Sequence, residues 1–588
     1  MKQFFLNIFS TILGVFAAGL ALIVLVFLAF LLLVGIRSST SEVAEHSVLH
    51  LPLSGVVTEQ ATDNTLSSLL HTGDLVVSLD EVRKALDLAA TNDKIKGVYL
   101  EAGMLEASPA ELQTIHEALS DFKKKSKKFI VAYGDLYSQG SYYVCSVADK
   151  LVLNPSGAIA WHGLSAEPMF LKDMLAKVGV KMQVFKVGSY KSAVEPYTST
   201  EMSKANREQV GSYLHSIWSH IVSDVSKSRH IAPDSLQLLA DQYMAFAPSQ
   251  RFVEQGMVDT LLYRDGVKAW IKDLCHTHKK VHFITPSQLV ATAEPQKRDK
   301  NEIAIYYAYG DVISTNQENV GNTSTLCAES MIADLEKLAD DEQVKAVVLR
   351  LNSGGGSAYA SEQIWRAVTL LKQKKPVVVS MGGMAASGAY YIASAANVLV
   401  AQPTTLTGSI GIFGIFPDAS ELLTEKLGLH FDHVKTNRHS DFGTLSRPLN
   451  REEQQMLQLY IERGYNLFLT RVATGRHKSI AATNAVAQGR VWTGEQALKI
   501  GLVDALGGLP YAMERAAKLA NVKKDYQVGE YPAVLPWYET WLSEESDRYL
   551  DEKMRTHLGL YYAPLSFLTQ LKKQDYVQAR IPYYISIK

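Results

Sequence analysis

Cysteine is nearly absent: three residues in 588, Cys145, Cys275 and Cys327, stand far apart. This excludes a disulfide framework and a CxxC metal site, and leaves the three as small buried residues. Charge of one sign is not in excess either, since 59 Lys and Arg face 60 Asp and Glu. Without a basic field the surface does not hold a polyanion, which removes nucleic acid as the main partner. Polar residues do not dominate: 47% of the chain is hydrophobic and 20% charged, so disorder as the general state is excluded. Beyond Arg37 there is no long apolar run.

Before Arg37 there is one. No charged residue lies between Lys2 and Arg37, and Ile12–Ile36 is almost wholly Leu, Val, Ile, Phe, Ala and Gly. A hydrocarbon core about 30 Å thick takes about 20 such residues as helix. The apolar part of a cleaved signal peptide is only about 7–15 residues long. The segment is expected to be an uncleaved transmembrane helix anchoring a large water-soluble body. Lys2 and Arg37 oppose one another, so the positive-inside bias on its orientation is weak.

The body repeats. Ile95-Lys96-Gly97-Val98-Tyr99-Leu100 is similar to Val344-Lys345-Ala346-Val347-Val348-Leu349 at an offset of 249. Ser141–Asp149 (SYYVCSVAD) matches Ala389–Asn397 (AYYIASAAN) at 248, and Gly256–Asp259 matches Gly501–Asp504 at 245. Three near-equal offsets in one order indicate a tandem duplication. The expected parts are an anchor at 1–46, a first repeat at 47–293, a polar linker at 294–301 (EPQKRDKN), a second repeat at 302–520 and a tail at 521–588. The tail is rich in Tyr, Trp and Pro and is expected to pack on the body or on a neighbouring subunit.

Both repeats alternate β-branched runs with helical periodicity. The second predicts strand Ala346–Leu351, helix Ser361–Gln373, strand Pro376–Met381 and helix Ser387–Ala396; the first predicts strand Gly97–Leu100, helix Ala110–Phe122, strand Phe129–Tyr133 and helix Gly140–Ala148. Strand–helix–strand repetition implies an α/β fold with a largely parallel sheet. The basic run Lys123–Lys128 falls between a helix and a strand and reads as a solvated turn.

Two glycine-dense stretches follow strands in the second repeat. In Asn352-Ser353-Gly354-Gly355-Gly356-Ser357, missing Cβ atoms let backbone amides approach a phosphate or an oxyanion, unless the segment is a plain turn. It is not a Walker A loop, because no Gly-Lys-Ser/Thr follows. Met381–Gly388 (MGGMAASG) places Ser387 at a helix start, either as a nucleophile or as an N-cap. The G-x-S-x-G elbow is not met, since Ala385 and Ala389 stand where it has glycines. A nucleophilic serine needs a base. His162, His430, His433 and His439 lack a convincing Asp context, and the alternative is a lysine whose pKa burial has lowered. Lys191 lies among apolar and small residues, but Glu195 nearby would favour the charged amine.

Taken together, Lys191–Pro196 (KSAVEP), Ser353–Gly356 (SGGG), Met381–Gly388 and Leu406–Gly414 (LTGSIGIFG) resemble the signal peptide peptidase A (protease IV) family in its long tandem form, from the anchor to about residue 515. The resemblance implies a crotonase/ClpP-like fold in each repeat and a serine endopeptidase with a Ser–Lys dyad, needing no metal or cofactor. It implies Ser387 as nucleophile, Lys191 as general base, Ser409 orienting the lysine, and the Gly354 and Gly355 amides as oxyanion hole. Implied partners are apolar peptides such as cleaved signal peptides, the lipid bilayer and further copies of the chain in a homotetramer. The implied location is the bacterial inner membrane, single-pass, with the catalytic body on the periplasmic side.

The duplication adds its own constraint. At these offsets Ser387 faces Gln139, Gly354–Gly356 faces Leu105-Glu106-Ala107, and Lys191 has no lysine counterpart near His439. Neither repeat completes a dyad alone, so the site is expected between them. Two rival readings are a crotonase-type acyl-CoA enzyme and a catalytically inactive membrane scaffold. The first lacks an evident phosphate site and acidic catalytic residue, and the second would scatter its losses rather than make them complementary.

Overall fold

Runs such as Val347-Val348-Leu349 and Val377-Val378-Val379 have no polar face, the pattern of parallel strands covered on both sides. In the computed structural model they form the middle of one of two largely parallel sheets. The structure describes residues 42–61, 76–293, 301–315, 325–522, 526–533 and 577–581, with scattered helical positions between 10 and 25. The apolar stretch 12–36, the linker 294–300 and much of the tail lie largely or wholly outside the described residues. Among the described residues no helix is long and apolar enough to cross a membrane.

In the first repeat, strands Ser47–Thr58, Ile95–Glu106, Phe129–Tyr137 and Lys150–Ile159 lie side by side, all parallel. In the second, Glu302–Tyr309, Val344–Ser353 and Val377–Ala386 repeat that order, and Val398–Ala401 and Leu406–Gly408 both pair with the last of them. Helices Pro109–Ser126 and Ala358–Lys374 make corresponding crossovers. The first starts on a capping box in which Ser108 and Glu111 satisfy each other's backbone amides. The basic run closes this helix instead of forming a turn. Lys123–Ser126 is its last stretch and Lys127 its left-handed cap, with Lys123 paired to Asp149 at 2.7 Å. Cations are favoured there because the helix ends in unpaired carbonyls.

Strand Val377–Ala386 runs on through the glycines, past the expected end at Met381. Its far end finds a new neighbour, Met384–Ala386 pairing with Leu406–Gly408. Gly382 and Gly383 are there because the first repeat presses on them: a Cβ would lie 2.4 Å from Glu59 Oε1 at Gly382 and 2.3 Å from Ser108 Oγ at Gly383.

A third, six-stranded sheet joins the repeats. Its order is Thr325–Cys327, Asp311–Ile313, Gly355–Ser357, Val577–Arg580, Phe413–Asp418 and Lys181–Lys186. Lys181–Lys186 comes from the first repeat and lies antiparallel to Phe413–Asp418 of the second, in continuous register from Asp418↔Lys181 to Phe413↔Lys186. Two described pieces of the tail pack on the body: Gln527–Tyr531 beside Glu302–Tyr309, and Val577–Arg580 inside the joining sheet.

Candidate active site

The chain turns out of strand Lys181–Lys186 directly into the loop bearing Lys191, so the joining sheet carries this lysine into the second repeat. Lys191 Nζ lies 2.6 Å from Ser387 Oγ, 3.0 Å from Ser409 Oγ and 3.1 Å from the Ser409 carbonyl. The two side chains, 196 residues apart in sequence, are both buried. Burial alone pushes the Lys191 amine well below the ordinary lysine range. Glu195 makes no contact with the amine: its carboxylate accepts from the Ser203 hydroxyl at 2.6 Å and the Asn206 amide at 2.9 Å.

Ser387 is no capping serine. It precedes helix Gly388–Ala393 without a side-chain capping bond, at φ 56° and ψ −113°. Such a backbone costs a non-glycine residue about 1–3 kcal/mol and persists only where surroundings impose it. Here the Ser387 amide donates to the Gly408 carbonyl at 2.8 Å. A sharp strand-to-helix turn, similar in shape to the G-x-S-x-G elbow, is thus made without that motif's two glycines. Ser409 also has positive φ, 50°, with its amide on the Arg490 carbonyl at 2.7 Å.

The first repeat shows the same corner unstrained and sealed. Ser138 caps helix Gln139–Cys145 at φ −64°. The Gln139 side chain donates to the Gly163 carbonyl at 3.0 Å and accepts from the His162 and Gly163 amides. Ser387 Oγ likewise lies 3.5 Å from the carbonyl of Gly411, 24 residues onward, the same separation that Gln139 spans. His162, His430, His433 and His439 are all exposed, away from the buried serine.

Of the glycine loop, Gly355 adopts φ 98° and touches the Ser387 turn: a Cβ would lie 2.7 Å from the Gly388 nitrogen and 2.0 Å from the Ala579 carbonyl. Its amide donates to Ser353 Oγ at 3.1 Å, and the Gly354 carbonyl accepts from the Ile581 amide. The tail strand therefore lies across this loop.

The residues that seat the lysine carry no motif in the sequence. Gly489 has φ 80°, and a Cβ there would lie 2.6 Å from the Lys191 backbone. Gln209, on helix Lys204–Arg229, donates to the Tyr190 carbonyl and Ser192 Oγ and accepts from the Val491 amide. A buried polar network, likewise without a sequence motif, lies between the repeats. Arg350 makes a bidentate pair with Glu59 at 2.8 and 3.1 Å, and Asn352 reaches both Glu59 and Glu111. Burial, then the charge of Glu59, pushes the Glu111 carboxyl up to about 6.

The sequence matches Peptidase family S49 over residues 122–278 and again over 369–523. It is 35% identical to "Protease 4" of Salmonella typhi over 540 residues, 87% of this chain and 85% of that protein. The chain belongs to peptidase family S49. It is also 36% identical to "Protease 4" of Haemophilus influenzae, covering 86% of this chain and 85% of that one. Identity to "Serine protease SPPA, chloroplastic" of Arabidopsis thaliana is 30%, over 83% of this chain and 71% of that one. Residues 311–405 match the Clp protease family. This S49 peptidase is therefore a tandem repeat on a ClpP-like α/β fold, and its strained corner lies in the second S49 match.

Proposed function

We propose that the chain is a serine endopeptidase in which Ser387 is the nucleophile and Lys191 the general base. The observation that carries this is a buried amine 2.6 Å from a buried hydroxyl on a strained turn. A neutral amine has two N–H groups and one lone pair. Ser409 offers two acceptors, its hydroxyl and its carbonyl, which take both N–H groups and aim the lone pair at Ser387.

Lys191 takes the Ser387 proton as Oγ attacks the scissile carbonyl, then returns it to the leaving amine. Water, deprotonated by the same amine, releases the acyl group. The Gly354 and Gly355 amides, with that of Gly388 after the nucleophile, receive the oxyanion. For this Gly355 exchanges its bond to Ser353 for one to substrate. A site this dry suits apolar peptides, and cleaved signal peptides are the substrate class we assign. The stretch 12–36 is assigned as a single-pass anchor in the bacterial inner membrane, with the peptidase body on the periplasmic side.

A homotetramer is assigned from the family resemblance, and exposed apolar side chains are consistent with contacts between copies. Leu427, Phe431, Val434, Met456, Leu459 and Tyr460 stand open around Leu422–Lys426 and helix Arg451–Gly475.

A serine-directed covalent probe, followed by peptide mapping, is expected to modify Ser387 and no other serine. Modification elsewhere would remove the assignment. Produced separately, residues 1–293 and 301–588 are each expected to be inactive, since each lacks one half of the pair. Turnover by the second piece alone would transfer the base to another residue.

A further inference from the structure

The ladder between Val344–Ser353 and Val377–Ala386 breaks just before the nucleophile. Pairing passes from Leu351↔Met381 to Ser353↔Ala385, so one residue, Asn352, faces three, Gly382, Gly383 and Met384. Such a bulge re-aims the strand that carries it. Here that strand leads straight to Ser387, while Asn352 leads into Ser353-Gly354-Gly355.

The Asn352 side chain fills the break. Its Oδ1 accepts from the Met384 amide at 3.1 Å. Its Nδ2 donates to Glu59 Oε1 at 3.1 Å and Glu111 Oε1 at 2.9 Å. Both carboxylates belong to the first repeat, and both are fixed from behind. Glu59 is gripped by Arg350, and Glu111 Oε2 accepts from the Ser108 amide at 2.7 Å. Two acceptors on one amide nitrogen also decide which way Asn352 faces, leaving its oxygen for Met384. Gly382 and Gly383 admit Glu59 and Ser108 because they have no Cβ.

We propose that Asn352 is a positioning residue that registers the glycine loop against the nucleophile turn, and that Glu111 and Glu59 of the first repeat hold it in that orientation. This rests on the serine reading above. The first repeat then contributes to the reaction twice, through the base and through the frame that aligns the nucleophile with the oxyanion amides.

The test uses the full chain and a short chromogenic peptide. Asn352→Ala is expected to lower kcat about 10- to 100-fold, the usual cost of a misplacement near 1 Å, with KM within about two-fold. Glu111→Ala is expected to act alike, and the double variant to be no worse than Asn352→Ala alone, because both remove one linkage. Glu111→Gln, which keeps an oxygen for Asn352, is expected to recover most of the Glu111→Ala loss. A merely structural role would lower melting temperature without this kcat-specific, non-additive pattern. If Asn352→Ala does not fold, the two Glu111 variants carry the comparison. With Ser387→Ala inactive, full kcat in Asn352→Ala, or strictly additive losses, overturns the proposal. Turnover by Ser387→Ala would instead overturn the serine reading beneath it.

Discussion

Ser387→Ala is expected to lower kcat by about 10⁴-fold or more, as loss of a covalent nucleophile does, while the chain folds as before. Alanine keeps the Cβ, so the strained backbone at φ 56° is neither relieved nor worsened. The Lys191 amine loses one of its three partners and keeps both Ser409 oxygens. Melting temperature should therefore change little. Single-turnover peptide hydrolysis measured beside thermal unfolding separates the two effects. Substantial cleavage by a folded variant would place the nucleophile elsewhere.

Lys191→Met is expected to be as well folded and almost inactive. Removing the base costs about 10²–10⁴-fold in rate, but it also removes the penalty of burying an amine. The sign follows from proton counting. In the unfolded chain Lys191 holds its proton up to about pH 10.4, whereas in the folded protein burial releases it well below that. Between those two values the unfolded state binds the extra proton, so wild-type stability gained through this residue rises with pH. Lys191→Met lacks that slope. It should be more stable than wild type near neutrality, with the gap narrowing as pH approaches 10. In the wild type, kcat should rise with pH through an ionisation well below the ordinary lysine value. A stability gap independent of pH would mean that the amine stays charged in the fold.

The strands and crossover helices could be read from the sequence because their signals are local. Apolar runs such as Val347–Leu349 and helical spacing such as Ile364, Val368 and Leu371 need no knowledge of the partner element. The same reading ended a strand at Met381, since glycine lowers strand propensity, and could not foresee that Met384–Ala386 pair with Leu406–Gly408. The joining sheet was not legible at all. Lys181–Lys186, Phe413–Asp418 and Val577–Arg580 are short, and their pairing is fixed by tertiary contacts rather than by pattern. Lys191 has no distinguishing mark among its neighbours. Its depressed ionisation comes from desolvation, which belongs to the folded state; apolar neighbours in sequence make it a candidate, and the motif resemblance selects it. The link from Asn352 to Glu59 and Glu111 carries no signal, because a side chain that crosses between repeats leaves no periodicity behind.

The joining sheet has a consequence for biosynthesis. Its strands are gathered from residues 181–186, 311–313, 325–327, 355–357, 413–418 and 577–580. Synthesis runs from the amino terminus, and domains generally fold in that order. A ribosome-bound chain that has emerged through its first repeat therefore carries the proposed base without the proposed nucleophile, and strand Val577–Arg580 joins the sheet after both. On the Ser–Lys proposal, proteolytic competence therefore waits until the second repeat has followed the first out of the ribosome.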